Sequence, residues 1–173
     1  MRFISIFILS IFLLSCGAAV TVDYDKNTDF TRYNSYNFYP TIQSGLSELD
    51  DARIMQITDS LMQQRGFVKS ESPQFHINFF ARESVSDSRS SIGIGVGGGG
   101  GNVGVGVSGG IPIGGRTINQ QLTMDFIDVE KNDLIWQAVI EGEMRERATP
   151  QQKEAYYFSV IQKILKKYPP KRK

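Results

Sequence analysis

Residues 118–143 read INQQLTMDFIDVEKNDLIWQAVIEGE, and this stretch decides the fold. It contains two runs rich in β-branched and aromatic residues, which favour strands, and EKND between them is typical of a turn. In the second run, Leu134, Trp136, Ala138 and Ile140 alternate with other residues, as expected of a strand with one apolar face. The stretch therefore predicts a long β-hairpin.

Three further segments have the composition of strands. Residues 18–25 (AAVTVDYD) alternate and are β-branched, residues 35–39 (SYNFY) are aromatic and stop at Pro40, and residues 73–82 (PQFHINFFAR) alternate in polarity. In the last segment Phe75, Ile77 and Phe79 share one face, and His76, Asn78 and Phe80 share the other.

Two helices are predicted from their periodicity and their ends. The first covers residues 48–65, with Ser47 as N-cap and Gly66 in the left-handed position that ends it. The second begins at a capping box formed by Thr149 and Gln152, with Pro150 as its first residue, and stops at Pro169-Pro170. We therefore expect an α+β domain over residues 21–168, with an antiparallel or mixed β-sheet and two α-helices packed on it.

A glycine-rich insertion, residues 92–115, interrupts this pattern. Within it, IGIGVGGGGGNVGVGVSGG (residues 92–110) has aliphatic residues that alternate with glycine on both sides of a glycine tip. This alternation predicts a β-hairpin or loop that is either a flexible flap or an interaction element for a partner or a second copy. The candidate contact residues are Ile92, Ile94, Val96, Val103, Val105 and Val107. The stretch also matches G-x-G-x-x-G twice, but no helix can begin after it, so dinucleotide binding is not expected.

The N-terminus has the features of a bacterial lipoprotein signal peptide. MRFISIFILSIFLLSC is apolar after Arg2, too short to span a bilayer, and ends in a sequence that resembles a lipobox. We expect cleavage between Ser15 and Cys16, lipid attachment at Cys16, a short tether over residues 16–20, and a periplasm-facing anchor in the outer membrane. Cys16 is the only cysteine, so no disulfide can form within the chain.

The charge balance argues against nucleic acid as a partner. Removal of residues 1–15 takes one charge, Arg2, from the 19 basic residues and leaves them equal in number to the 18 acidic ones. A neutral domain has no overall field that attracts nucleic acid. The basic tail, residues 169–173, is expected to be solvated, and its contact with anionic lipid headgroups or peptidoglycan is the alternative.

Several segments together resemble a family of bacterial lipoproteins known as domain of unknown function 4136. They are Val22-Asp23-Tyr24-Asp25, Asp29-Phe30 with Tyr33 and Tyr36, Arg53-Ile54, Arg65-Gly66-Phe67, Met124-Asp125-Phe126-Ile127-Asp128, Leu134-Ile135-Trp136, and Lys163-Ile164-Leu165 with Tyr168-Pro169-Pro170. The resemblance implies an envelope lipoprotein with an α+β fold, and it implies no established activity.

The residues indicate no catalytic site, metal site or cofactor. His76 is the single histidine. Two carboxylate pairs exist, Asp125 with Asp128 and Glu141 with Glu143; the second is expected in water on the face opposite Trp136, where nothing would raise a pKa. The six aromatic residues between Tyr24 and Tyr39 are expected to pack in the core or at strand edges. The sequence thus favours a non-catalytic binding or scaffolding module held to the membrane by its lipid. The alternative is a cell-wall or lipid hydrolase with Asp or Glu in an aromatic cleft.

Overall fold

A computed structural model describes residues 19–87, 90–92, 111–113 and 115–171 of the 173-residue chain. The elements in chain order are β1 (Val20–Tyr24), a 3-10 turn (Phe30–Arg32), β2 (Ser35–Phe38), α1 (Glu48–Gln64), β3 (Val68–Lys69), β4 (Phe75–Asp87), β5 (Ser90–Ile92), β6 (Ile111–Ile113), β7 (Arg116–Asp128), β8 (Leu134–Arg145) and α2 (Pro150–Leu165).

Six of these strands form one mixed sheet, in the order β1-β8-β7-β4-β2-β3. Neighbours from β1 to β4 are antiparallel, whereas β2 pairs in parallel with both β4 and β3. The predicted hairpin is β7 and β8, with a register shift at Phe126/Ile127 and a left-handed residue, Asn132, in its turn. The predicted α+β fold with a mixed sheet and two helices is confirmed.

Both helices begin as the sequence predicts. The side chain of Ser47 accepts from the N–H of Asp50 at the start of α1, and Thr149 and Gln152 form a complete capping box at the start of α2. Gly66 follows α1 with a φ of 86°, a conformation that costs glycine little because it has no Cβ.

Two strands differ from the prediction. β4 continues five residues past Arg82 to Asp87, because it pairs with β7 along its whole length, so ladder formation overrides the polar composition of residues 83–87. β3 is only two residues long and joins the sheet beside β2, and a pair of residues is too short to show a pattern in sequence.

The core lies between the helices and one face of the sheet. Phe75, Phe126, Trp136 and Tyr168 stack or meet edge to face at its centre, and all four are almost completely buried. In the described part of the chain the buried core residues run from Tyr33 to Tyr168, and Val20, Val22 and Tyr24 of β1 pack against them.

The sheet extends beyond the part that β1 covers. β1 begins opposite Ile140, and past that row β4, β7 and β8 continue together over residues 82–87, 116–121 and 141–145. We call these residues the three-stranded extension. The short β5–β6 ladder, which pairs Ile92 with Ile111, lies in the segment between β4 and β7.

Candidate functional site

The face of the sheet turned away from the helices is the candidate functional site, because the described helices bury only the other face. Register places its side chains in rows that cross β4, β7 and β8. We call it the open face; its rows are His76–Ile127, Asn78–Asp125–Gln137, Phe80–Thr123–Val139, Arg82–Gln121–Glu141 and Ser84–Asn119–Glu143.

The central row of the open face, which we call the apolar row, has an apolar side chain on each side of Thr123, a residue that is 4% exposed. Phe80 and Val139 are half-buried on either side of Thr123, and Ile127 is also half-buried nearer the other end of β7. Strand alternation puts these side chains on the face opposite to Phe79, Met124 and Ala138, which belong to the core. A further molecule that covered Phe80 and Val139 would remove the rest of their apolar surface from water, which is favourable.

One polar row flanks the apolar row on the side of the core aromatics. In it the Nε2 of Gln137 donates to Oδ1 of Asp125 at 2.8 Å, and Asn78 lies opposite Asp125 on β4. Burial raises the pKa of Asp125, and the bond from Gln137 lowers it by less. Asp125 is therefore a half-buried carboxyl group near the middle of the sheet.

On the other side of the apolar row, the open face forms a groove. The groove has a volume of about 1030 Å³ and is lined by Arg82, Glu83, Ser84, Asn119, Gln120, Gln121, Glu141, Gly142 and Glu143. Six of these residues belong to two rows of the open face, and Gln121 Nε2 donates to Glu141 Oε1 at 3.1 Å. On the open face the groove carries two carboxylates, Glu141 and Glu143, and one guanidinium, Arg82, so it is slightly acidic and rich in amides and suits a partner that supplies hydrogen-bond donors or positive charge.

The helix side of the extension is held by a polar cluster. The Nε2 of Gln120, a residue that is 1% exposed, donates to Oε1 of Glu83 at 2.7 Å and to the hydroxyl of Tyr157 at 3.2 Å. Beside it, burial and the nearby charge of Glu83 raise the pKa of Tyr156 to about 12. These contacts fix α2 against β7 and β4 and so keep the groove strands in place.

The buried carboxylates Asp50 and Asp128 serve the fold. Asp128 accepts from the Tyr33 hydroxyl and from the N–H of Lys131, and these bonds outweigh the effect of burial and hold its pKa below the usual value. Asp50 accepts from Lys153 Nζ at 2.7 Å and from Arg53 Nη1 at 2.8 Å, so it joins α1 to α2.

The paired carboxylates noted in the sequence are not brought together as acid–base pairs. Asp125 lies on the open face, whereas Asp128 is buried beside Tyr33. Glu141 and Glu143 are exposed on the face opposite to Trp136, as the alternation predicts.

The predicted site residues lie mostly outside the part of the chain that the structure describes. Ser15, Cys16, Ile94, Val96, Val103, Val105 and Val107 are outside it, and Ile92 is described as the last residue of β5, where it pairs with Ile111. The lipid site and the glycine hairpin therefore stay predictions.

The aromatic N-terminal segment packs mainly into the core, as expected. Tyr33, Tyr36 and Phe38 are buried, and Phe30 packs against the core. His76 lies on the open face, where its ring meets the edge of Tyr39 and burial lowers its pKa.

Two further findings concern the described residues alone. In them no three His, Cys, Asp or Glu side chains converge as metal ligands would. Neither α1 nor α2 combines the length and hydropathy that a membrane-spanning helix requires.

Sequence reasoning missed the groove and the open face as a site. The alternation that puts Phe80 opposite Phe79 was visible in the sequence, but it did not show which strands lie beside β4. The rows exist only through the pairing of residues about 45 and 60 positions apart, such as Phe80, Thr123 and Val139.

A family model described as "Domain of unknown function (DUF4136)" matches residues 20–170 of the chain. The chain belongs to this family. The match covers β1 to α2, so it includes the strands that form the open face and its groove. The family description indicates no catalytic class. None of the curated proteins matches the chain significantly.

Solved structures with little sequence identity share the fold. A PDZ domain protein from Parabacteroides distasonis ATCC 8503 superposes with a TM-score of 0.58 at 11% identity, over 90% of this chain and 36% of that one. The chain thus spans about a third of that protein's length. A PelC dodecamer from Paraburkholderia phytofirmans gives a TM-score of 0.50 at 15% identity, over 86% of this chain and 95% of that one. At these identities the similarity concerns the fold alone.

Proposed function

We propose that this protein is a lipid-anchored component of the bacterial cell envelope whose domain binds another envelope protein and catalyses no reaction. The anchor is Cys16, and the binding surface is the open face with its groove. The observation that carries the binding role is the apolar row Phe80–Thr123–Val139, which lies between polar rows on a sheet face that the described helices leave uncovered.

An apolar centre within a polar rim is the usual anatomy of a protein–protein interface. Here Phe80 and Val139 supply the centre, while Asp125 on one side and Arg82 and Glu141 on the other supply the rim. The acidic and amide groups of the groove favour partners whose charge is complementary to theirs. The glycine-rich insertion lies in the connection between β4 and β7, two strands of the open face, and is the second candidate contact.

A hydrolase that uses Asp or Glu in an aromatic cleft is the second candidate, and the raised pKa of Asp125 is an observation in its favour. However, the neighbours of Asp125 across the sheet are Asn78 and Gln137, and the next carboxylate in the row, Asp23 of β1, lies beyond Gln137 and is not adjacent to Asp125. The next row contains one aromatic residue, Phe80, which does not make an aromatic cleft.

Photo-crosslinking in cells tests the binding surface. p-Benzoylphenylalanine replaces Phe80 in the full-length protein, and Phe158, 45% exposed on α2, is replaced in a matched control. We expect a discrete protein adduct from position 80 and none from position 158, because Phe158 belongs to a helix on the other side of the sheet. Mass spectrometry of the adduct distinguishes a different protein from a second copy.

The same strains test the anchor separately. We expect an acylated N-terminal Cys16 in the membrane fraction, and no acylation at position 16 in the Cys16→Ala protein. Absence of an adduct from position 80, in protein that is acylated and folded, would refute the binding role of the open face. An unmodified Cys16 would refute the anchor without bearing on the adduct. A probe at Val105 reports whether the glycine-rich insertion shares the interface.

A further inference from the structure

Four lysines gather around the first described residues of the chain. Lys163 lies in the last turn of α2, Lys166 and Lys167 follow its end, and Lys171 is the last described residue. Together with Ala19, Val20 and Pro169 they line a second groove of about 680 Å³. We call the four lysines the lysine surface.

The positive charge of the lysine surface is not used within the domain. Among the described residues, the ion pairs involve Arg32, Arg53, Lys69, Arg116 and Lys153, and none of the four lysines. The carbonyl groups at the end of α2 are also satisfied from elsewhere, since Arg65 donates to the backbone oxygens of Leu165 and Tyr168. The lysines are thus available to an external anion.

The short stretch of chain between Cys16 and Ala19 indicates which anion lies close to the lysine surface. Three residues of chain span at most about 11 Å, so a lipid on Cys16 holds Ala19, and the groove that Ala19 lines, within about that distance of the bilayer. The interfacial region of a bilayer is of similar depth, roughly 5–8 Å on each side. The tether is therefore short enough for the lysine surface to contact the headgroups when the anchor is in place.

Charge then decides which side of the domain faces the bilayer. Val20, the first residue of β1, lines the lysine groove and pairs with Ile140, the residue before Glu141 in the groove of the open face. Anionic headgroups attract the first and repel the second. We propose that Lys163, Lys166, Lys167 and Lys171 form a docking surface for the anionic lipid headgroups of the membrane that holds Cys16. This inference rests on the proposed lipid anchor.

Lysine acetylation with mass-spectrometric readout tests the docking surface. Acylated full-length protein is reconstituted in vesicles of phosphatidylcholine alone or with about one third phosphatidylglycerol, and the acetylation rate of each lysine is compared between the two. We expect the four lysines to react roughly five-fold more slowly in the anionic vesicles, from the attraction of each basic residue to an anionic surface. Lys26 and Lys131 are exposed elsewhere on the domain and serve as internal controls. Each of them should be acetylated at the same rate in the two vesicle types.

A matched pair of variants separates the patch from net charge. Lys166→Gln with Lys167→Gln should abolish the protection of Lys163 and Lys171, whereas Lys26→Gln with Lys131→Gln should leave it unchanged, although both variants lose two charges. High salt should also abolish the protection, because exposed charges are screened within about 10 Å at 0.1 M and less at higher salt.

The outcomes distinguish the docking surface from the anchor. Equal acetylation rates in the two vesicle types, with acylated Cys16, would overturn the docking surface and leave the anchor intact. Equal loss of protection in the two double variants would overturn recognition by this patch. An unmodified Cys16 in the purified protein would overturn the anchor and, with it, the docking surface.

Discussion

Gly142 of β8 lies against the side chain of Tyr156 on α2, and alanine at this position tests how closely α2 is seated on the three-stranded extension. A Cβ on residue 142 would lie 2.7 Å from the hydroxyl oxygen of Tyr156, 3.0 Å from its Cε2 and 3.3 Å from its Cζ. The first distance is shorter than any normal contact, so the Tyr156 ring must move or the helix must shift.

Two opposing effects determine how much Gly142→Ala changes the free energy of unfolding. Alanine restricts the unfolded chain more than glycine, which stabilises the folded state by about 0.5–1 kcal/mol where the backbone permits it. Overpacking of a close contact costs about 1–3 kcal/mol. The clash exceeds the entropic gain, and we expect the free energy of unfolding to fall by roughly 1–2 kcal/mol.

Tyr156→Phe removes the atom that is closest to the added Cβ. The hydroxyl of Tyr156 is buried without a hydrogen-bond partner in the described part of the chain, so its removal alone should be neutral or stabilising. In the phenylalanine background the remaining contacts are 3.0 and 3.3 Å to the end of a ring that can tilt. Alanine at position 142 should then cost at least about 0.5 kcal/mol less than with tyrosine present, which is the measurable range of a double-mutant cycle.

Urea unfolding of the four proteins, each beginning at Ala19, gives the free energies through the linear dependence on urea concentration. Circular dichroism of the wild type checks first that this fragment folds cooperatively. Equal costs of Gly142→Ala in the two backgrounds would refute the contact between Gly142 and Tyr156. Stabilisation by alanine in the wild type would refute the close seating of α2.

Three other substitutions probe the charged and hydrogen-bonded groups. Tyr33→Phe removes a hydrogen bond to buried Asp128 and should lower the free energy of unfolding by about 1.5–3 kcal/mol at neutral pH. Folding lowers the pKa of Asp128, so this loss should shrink as the pH falls through the pKa that Asp128 has in the folded protein. Urea unfolding at a series of acidic pH values measures it. Asp125→Asn should stabilise the protein at neutral pH, since burial raises the pKa of Asp125. The wild type loses stability as the pH rises through the pKa that Asp125 has in the folded protein. The free energies of unfolding of the two proteins should therefore converge below about pH 3.9, where the carboxyl group is protonated in both states. An Asp125→Asn protein that is less stable at pH 7 would contradict this sign. Arg65→Met leaves two backbone carbonyls without their charged donor and should lower the midpoint of thermal unfolding by several degrees, with Arg147→Met at an exposed arginine as the comparison.

Local chemistry made the elements predictable from sequence. The capping residues Ser47 and Thr149 and the left-handed Gly66 fix helix ends through contacts within a few residues, and all three behave as predicted. The β7–β8 hairpin was predictable for the same reason, since its strands are neighbours in sequence. The parallel pairing of β2 with β4 was not predicted. The two strands are separated in the chain by α1 and β3, and no local sequence pattern indicates that they pair.

The candidate site was less predictable than the fold. Its rows combine β4 with β7 and β8, and the value of Phe80 as an interface residue depends on Thr123 and Val139 standing beside it. The polar residues 83–87 concealed the extension of β4, which forms one wall of the groove. The lysine surface was visible only as a basic tail, because its position beside Ala19 follows from the packing of α2 near β1.

The two proposed surfaces can act together because they lie on different sides of the domain. The lysines belong to α2 and the chain after it, which pack on the helix side of the sheet, whereas Phe80 and Val139 belong to the open face. A domain that rests its helix side on the headgroups directs its open face away from the bilayer. Such an orientation leaves the apolar row accessible to a second envelope protein and keeps the acidic groove away from anionic lipid. The short tether supports this arrangement, since few residues separate Cys16 from β1 and the domain has little freedom to turn over.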